Sequence, residues 1–181
     1  MTCIVGLVVG DDVYIGADAI SSNGITKHSI TTPKVFRCGE FAIGYTTSFR
    51  MGQLIQFHLP VRPQPAGQDD FAYMVTEVAE AVRVLLKDRG FAEVNSNRER
   101  GGQFLIGYRG KLYEIHSDYA VFAHEELWAV GSGEEVALGA MAALVDMKPR
   151  KRIKRALEIA AHYVPTVQGP FTILQLEGAA T

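Results

Sequence analysis

The sequence is poor in the residues and patterns that mark several classes of protein. It has two cysteines, Cys3 and Cys38, in 181 residues, which is too few for a disulfide framework. Its net charge of −2 gives no electrostatic reason to expect nucleic acid or an anionic membrane as a partner. No apolar stretch approaches the ~20 residues of a membrane-spanning helix, and the chain opens with strand-like alternation rather than a signal peptide. We therefore expect a cytoplasmic protein with neither nucleic acid nor membrane as a partner.

Metal-binding patterns are also missing from the sequence. The cysteines show no metal-cluster spacing, and no two histidines have the spacing of metal ligands. The five histidines are His28, His58, His116, His124 and His162. The basic run at 148–155 occurs in a net acidic chain, which favours a solvated helix face or a subunit contact over a nucleic-acid site. We expect no metal and no cofactor.

What the sequence does contain is the pattern of one globular domain, residues 1–181. Hydrophobic residues make up 48% of the chain and charged residues 21%, which is enough apolar mass for a sizeable core. Alternating β-branched runs predict strands, and apolar residues at helical spacing predict helices. The predicted strands are 3–9, 13–17, 27–32, 35–37, 40–44, 103–108, 111–116, 119–123, 128–130 and 171–176. The predicted helices are 49–59, 69–88, 134–147 and 148–162. Residues 21–24, 60–68 and 89–102 are predicted as turns or loops.

The chemistry of the chain centres on its second residue. A methionine followed by a small residue is the usual substrate for removal of the initiator, so Thr2 can become the first residue of the mature chain. A threonine hydroxyl is a poor nucleophile near neutral pH, and a terminal threonine has its own α-amine nearby to serve as a base. A cation beside that amine lowers its pKa and leaves more of it neutral. Lys34 is the candidate cation, with Asp18 as its partner.

These residues resemble the opening of proteasome β subunits and of the bacterial ring protease HslV. In that family an aspartate and a lysine follow the terminal threonine by sixteen and thirty-two residues, and Asp18 and Lys34 follow Thr2 at those separations. Taken singly, Thr2 is an ordinary strand start, Asp18 a turn former and Lys34 a solvated lysine. None of these ordinary interpretations predicts the spacing. The resemblance implies an N-terminal nucleophile (Ntn) hydrolase, an α+β protein in which two antiparallel sheets are sandwiched between helix pairs in four αββα layers.

The resemblance also implies supporting catalytic residues. Ser132, in the Gly-Ser-Gly turn between a strand and a helix, matches a serine beside the terminal amine. The backbone amide of Thr47 or Ser48 matches the oxyanion donor, because a strand that leads into a helix presents free amides. The family has a glycine-rich turn there, whereas this chain has Thr47 and Ser48.

Four further residues are expected to bind substrate by the same resemblance. Ser22 and its neighbours would pair with the main chain of an extended peptide, whereas Ser21, Thr32 and Phe36 would lie near the pocket for the side chain before the cleaved bond. The turn at 163–167 has no acidic side chain. The family's supporting aspartate and its cation site are therefore not carried over.

We predict a threonine peptidase that hydrolyses peptides or unfolded proteins inside a homo-oligomeric ring and needs only an aminopeptidase for activation. Whether a separate ATPase unfoldase delivers substrate, as with HslV, is left open. Two alternatives stay open as well. One is a catalytically weak or inactive ring or scaffold subunit, and the other is an Ntn amidase that acts on a small amide.

Overall fold

A computed structural model describes residues 2–22, 25–91, 93–95 and 98–178 of the chain. Within these residues the strands are β1 Cys3–Val9, β2 Asp12–Ala17, β3 Ile20–Ser22, β4 Lys27–Ser29, β5 Val35–Cys38, β6 Phe41–Tyr45, β7 Glu93–Asn95, β8 Arg98–Arg100, β9 Phe104–Tyr108, β10 Lys111–Ile115, β11 Val121–His124, β12 Leu127–Gly131 and β13 Thr172–Leu176. The helices are α1 Phe49–His58, α2 Asp70–Tyr73, α3 Glu80–Asp88, α4 Glu134–Ala143 and α5 Pro149–Tyr163, and a π-helical segment, Met74–Ala79, joins α2 to α3.

Two antiparallel sheets form the centre of the fold. The first has the strand order β12-β1-β2-β13, and the second has the order β11-β10-β9-β6-β5. Strand β1 illustrates how they pack, because successive side chains of a strand point to opposite faces. Cys3, Val5 and Leu7 pack with the residues of α4 and α5, while Ile4 packs towards Leu105 and the rest of the second sheet.

The outer face of the second sheet is covered by α1 and by the long helix of α2, the π-helical segment and α3. The core between them includes Tyr45 and Phe104 from the sheet and Leu54 and Val82 from the helices. The layers are therefore helices, sheet, sheet and helices. This confirms the predicted four-layer αββα class, in which both faces of each sheet are apolar.

Several local predictions differ from the structure. The exposed loop predicted at 89–102 contains the short hairpin of β7 and β8. Glu99 on β8 forms ion pairs with Arg83 and Lys87 of α3, and this long-range contact leaves no signal in a polar stretch. The turn predicted at 21–24 begins instead as β3, and its residues 23 and 24 lie outside the described residues. Helix α4 ends at Ala143 rather than at the predicted Met147. In its last turn the carbonyl of Met141 accepts a hydrogen bond from Arg152 Nε of α5.

No helix in the described part of the chain is long and apolar enough to cross a membrane.

Candidate active site

Thr2 lies immediately before β1, where the first sheet ends, and its side chain faces a cavity. The residue is only 4% exposed. Gly131, the partner of Cys3 in the ladder, approaches Thr2 so closely that an added Cβ would lie 2.3 Å from the Thr2 carbonyl oxygen. Gly131 also has a φ of +100°, which only glycine adopts readily. Met1 lies outside the described residues, and the Thr2 nitrogen becomes an α-amine only when Met1 is removed.

Asp18 follows β2 directly and is brought beside β1 by the register of the β1–β2 hairpin, which pairs Ile4 with Ala17. Its Oδ1 accepts a hydrogen bond of 2.9 Å from the amide of Cys3, the residue after Thr2. Its Oδ2 accepts from the Ile20 amide at 3.3 Å and from Lys34 Nζ at 2.9 Å. The carboxylate therefore joins the start of β1 to the lysine.

Lys34 and Asp18 form a fully buried ion pair, since both side chains have 0% exposure. Burial lowers the pKa of the Lys34 ammonium, and the charge of Asp18 opposes this change. Burial raises the pKa of Asp18, and Lys34 and the amide donors oppose it. The Lys34 ammonium also lies 5.9 Å from the ring centroid of Phe49. The predicted cation and its partner are therefore one unit, and Asp18 binds this unit to the amide of Cys3, the residue next to Thr2.

Ser132 lies on the other side of Thr2. Its Oγ is 3.3 Å from the Thr2 nitrogen, which donates to it, and it donates in turn to the Thr2 carbonyl oxygen at 3.2 Å. The hydroxyl of Thr166 is 2.8 Å from Ser132 Oγ. Thr166 is a site residue that the sequence analysis does not identify, because the family pattern has an acidic side chain in that turn. The hydroxyl group of Thr166 is the feature of the sequence that could have indicated it.

The predicted oxyanion turn has an unusual backbone. Thr47 has a φ of +72°, in the left-handed region that favours glycine, and the Ser48 amide donates to the Thr46 carbonyl at 2.8 Å. Within the described residues the Thr47 amide makes no hydrogen bond. Of the two predicted donors, the Thr47 amide is thus the one not used inside the turn.

A cavity of about 330 Å³ joins Thr2 to the oxyanion turn and to β3. It is lined by Thr2, Ser21, Ser22, Tyr45, Thr46, Thr47, Ser48, Phe49 and Arg50. The structure therefore gathers Ser21 and Ser22 beside Thr2, but the other two predicted substrate residues do not line this cavity. Phe36 is 5% exposed and packs in the core against Tyr45, and half-buried Thr32 lies outside the lining. A larger cavity of about 600 Å³ lies by the turn at Asp11, at the other end of β1.

Cys3 is adjacent to Thr2 but is not suited to act as a nucleophile. Its side chain is fully buried, and burial raises its pKa to about 12, so the thiolate is scarce near neutral pH. Among the described residues, no group of histidine, cysteine or acidic side chains is arranged to hold a metal ion.

Solved structures share the fold of this chain. No family model and no curated protein sequence matches the chain. Among solved structures, Thiobacillus denitrificans BPH matches 99% of this chain and 100% of its own, with a TM-score of 0.81 and 19% identity. The fold is that of the proteasome-type Ntn hydrolases.

Two further structures with this Ntn-hydrolase fold are similar. Eukaryotic HslV from Trypanosoma brucei covers 97% of this chain and 99% of its own, with a TM-score of 0.69 and 18% identity. Anbu from Yersinia bercovieri covers 96% of this chain and 80% of its own, with a TM-score of 0.68 and 12% identity. At such identities the likeness establishes the fold, and the chemistry has to be argued from the residues around Thr2.

Proposed function

We propose that the chain is a threonine-type peptidase that uses Thr2 as its nucleophile once Met1 has been removed. The observation that carries the proposal is the buried Asp18–Lys34 pair, held against the amide of Cys3 while Thr2 itself faces a cavity. A buried charge pair is costly to desolvate and is weak evidence for stability alone. A cation linked through Asp18 to the amide that follows the future α-amine has a clear chemical use.

The proposed reaction proceeds in two stages. The Thr2 hydroxyl attacks the peptide carbonyl carbon and transfers its proton to the α-amine, which Lys34 keeps largely neutral by lowering its pKa. The oxyanion accepts a hydrogen bond from the Thr47 amide. The intermediate collapses as the amine returns the proton to the leaving nitrogen, and an acyl-enzyme remains on Thr2. Water activated by the same amine then hydrolyses this ester and regenerates the hydroxyl.

Ser132 and Thr166 orient the amine in this scheme. Ser132 Oγ already accepts from the Thr2 nitrogen, and Thr166 is positioned to donate to Ser132. Both partners are uncharged. Lys34 is therefore the group proposed to lower the pKa of the amine.

The fold supports a hydrolase in general and self-association of the chain. We propose that residues 1–181 act as one domain within a homo-oligomeric ring in the cytoplasm, with peptides or unfolded proteins as substrates. The need for an ATPase partner is tested with the purified ring. Degradation of unfolded but not of folded substrates would indicate that a separate unfoldase is required.

The test of the chemistry is intact mass spectrometry with epoxomicin, whose complex with Thiobacillus denitrificans BPH has a TM-score of 0.81 to this chain. The epoxyketone class bridges the hydroxyl and the free α-amine of a terminal threonine. We expect purified protein to have lost the methionine mass and to gain one adduct per chain. Thr2→Ala should gain none, and Cys3→Ala should react like the parent. If Met1 is retained, the chain is first trimmed in vitro with an aminopeptidase.

A catalytically silent scaffold subunit is the second candidate, because one observation favours it. The left-handed backbone at Thr47 and the Ser48–Thr46 hydrogen bond leave a single amide for the oxyanion. Loss of one such donor lowers the rate by about 10²–10³ in other enzymes. A processed chain that assembles into a ring but takes no adduct would support the scaffold and contradict the peptidase.

A further inference from the structure

We infer that the cavity beside Thr2 selects substrates with a carboxylate on the residue before the cleaved bond, and that Arg50 recognises this carboxylate. The inference rests on the proposed function, whose substrate class it narrows. It concerns the cavity of about 330 Å³ between Thr2, β3 and the start of α1.

The charge of the lining is the first argument. Arg50 is the one charged side chain among the residues that line this cavity, and none of them is acidic. Arg50 is exposed and makes no ion pair within the described part of the chain. The carboxylate of Asp18 is already paired with Lys34 Nζ at 2.9 Å and does not neutralise Arg50. An entering carboxylate would therefore meet an unneutralised guanidinium, which binds carboxylates with paired, directional hydrogen bonds.

The polarity of the lining is the second argument. Seven of the nine lining residues carry hydroxyl groups, namely Thr2, Ser21, Ser22, Tyr45, Thr46, Thr47 and Ser48. Hydroxyls donate hydrogen bonds to carboxylate oxygens but give little to a bulky apolar side chain. The predicted apolar contributor, Phe36, is in the core instead. Within the described lining, Phe49 and the ring of Tyr45 are the apolar surfaces that remain.

The first turn of α1 is the third argument. Ser48 caps α1 without a side-chain hydrogen bond, and no acidic residue occurs in the first turn. The positive end of the helix therefore adds to the charge of Arg50.

The experiment uses fluorogenic peptides that differ only in the residue before the cleaved amide, which is Glu, Gln, Leu or Lys. Glu and Gln have nearly the same shape, so their ratio of kcat/KM isolates the charge. We expect Glu to exceed Gln about ten- to hundredfold, the range for a hydrogen bond to a charged group. Arg50→Gln should remove this ratio, and Arg50→Glu should favour Lys. Arg89→Gln removes an exposed arginine at the end of α3 and should leave the ratio unchanged.

Two further measurements separate this inference from the proposed function. Epoxomicin should still label Arg50→Gln, which shows that Thr2 remains competent. Binding of the uncleaved Glu and Gln peptides to Thr2→Ala, measured by calorimetry, tests the cavity when no chemistry occurs. A labelled enzyme with equal kcat/KM for Glu and Gln would overturn the inference and leave the peptidase intact. The opposite result is a parent protein that epoxomicin does not label, with a Thr2→Ala variant that binds the Glu peptide more tightly than the Gln peptide only while Arg50 is present. That result would overturn the peptidase and support the binding preference.

Discussion

Replacement of Lys34 by methionine tests whether the buried charge pair behaves as the structure indicates. Lys34 Nζ and Asp18 Oδ2 are 2.9 Å apart and both side chains have 0% exposure. In Lys34→Met the carboxylate keeps its hydrogen bonds from the amides of Cys3 and Ile20 but loses its buried counter-charge. Breaking a buried pair in this way costs about 3–5 kcal/mol in the free energy of unfolding. Lys34→Met should lose an amount in this range.

The second substitution, Asp18→Asn, supplies the control. The double variant Asp18→Asn/Lys34→Met buries no unpaired charge, although the Asn side chain loses the acceptor for the Ile20 amide. We expect the double variant to be more stable than Lys34→Met. The coupling energy, which is the loss in the double variant minus the losses in the two single variants, should be about 0.5–3 kcal/mol in favour of the double variant, as for groups in direct contact. Independent effects would instead make it the least stable of the series.

The stability of Lys34→Met should depend on pH, because the protonation of Asp18 depends on pH. Burial raises the pKa of Asp18, and loss of Lys34 removes a group that opposes this rise. The folded variant therefore binds the Asp18 proton more tightly than the unfolded chain does, and stability is lost as pH rises from about 4, the ordinary pKa of aspartate, through the folded value. Relative to the parent, Lys34→Met should regain stability as pH falls from 7 towards 4.

Urea unfolding followed by circular dichroism, at one protein concentration and several pH values, measures both effects. A loss below about 1 kcal/mol in Lys34→Met would refute the reasoning, because a fully buried carboxylate without its counter-ion has to be costly. A difference from the parent that does not change between pH 4 and 7 would show that Asp18 is not the group responsible.

Two other predictions concern the neighbourhood of Thr2. Gly131→Ala should destabilise the chain and block epoxomicin labelling, because its Cβ would lie 2.3 Å from the Thr2 carbonyl oxygen at a φ of +100°. Gly139→Ala in α4 meets nothing within 4 Å and should raise the free energy of unfolding by up to about 1 kcal/mol, which thermal unfolding of both variants will measure. Cys3, with a pKa raised to about 12, should resist iodoacetamide at pH 8 in native protein and react in urea, as followed by peptide mass mapping. Rapid native alkylation of Cys3 would contradict its burial.

The sequence by itself determined the features that depend on local pattern. Alternation of apolar residues predicts both strands of the first hairpin. The turn between them has two residues, Gly10 and Asp11, rather than the three predicted, and it sets their register. That register pairs Ile4 with Ala17, so Asp18 has to lie next to the start of β1. The spacing of Thr2, Asp18 and Lys34 was therefore informative, since strand geometry converts sequence separation into position.

Only the tertiary structure decided the surroundings of Thr2. Ser132, which only the resemblance indicated, and Thr166 reach it from the far end of the sequence, through the pairing of β12 with β1 and the turn after α5. The pattern of residues did not indicate that Phe36 would join the core, or that Arg50 would be the charged residue of the cavity. Local periodicity tells which face of a strand or helix is apolar. Which groups meet across the two sheets depends on how four layers pack, and that is a property of contacts between distant parts of the chain.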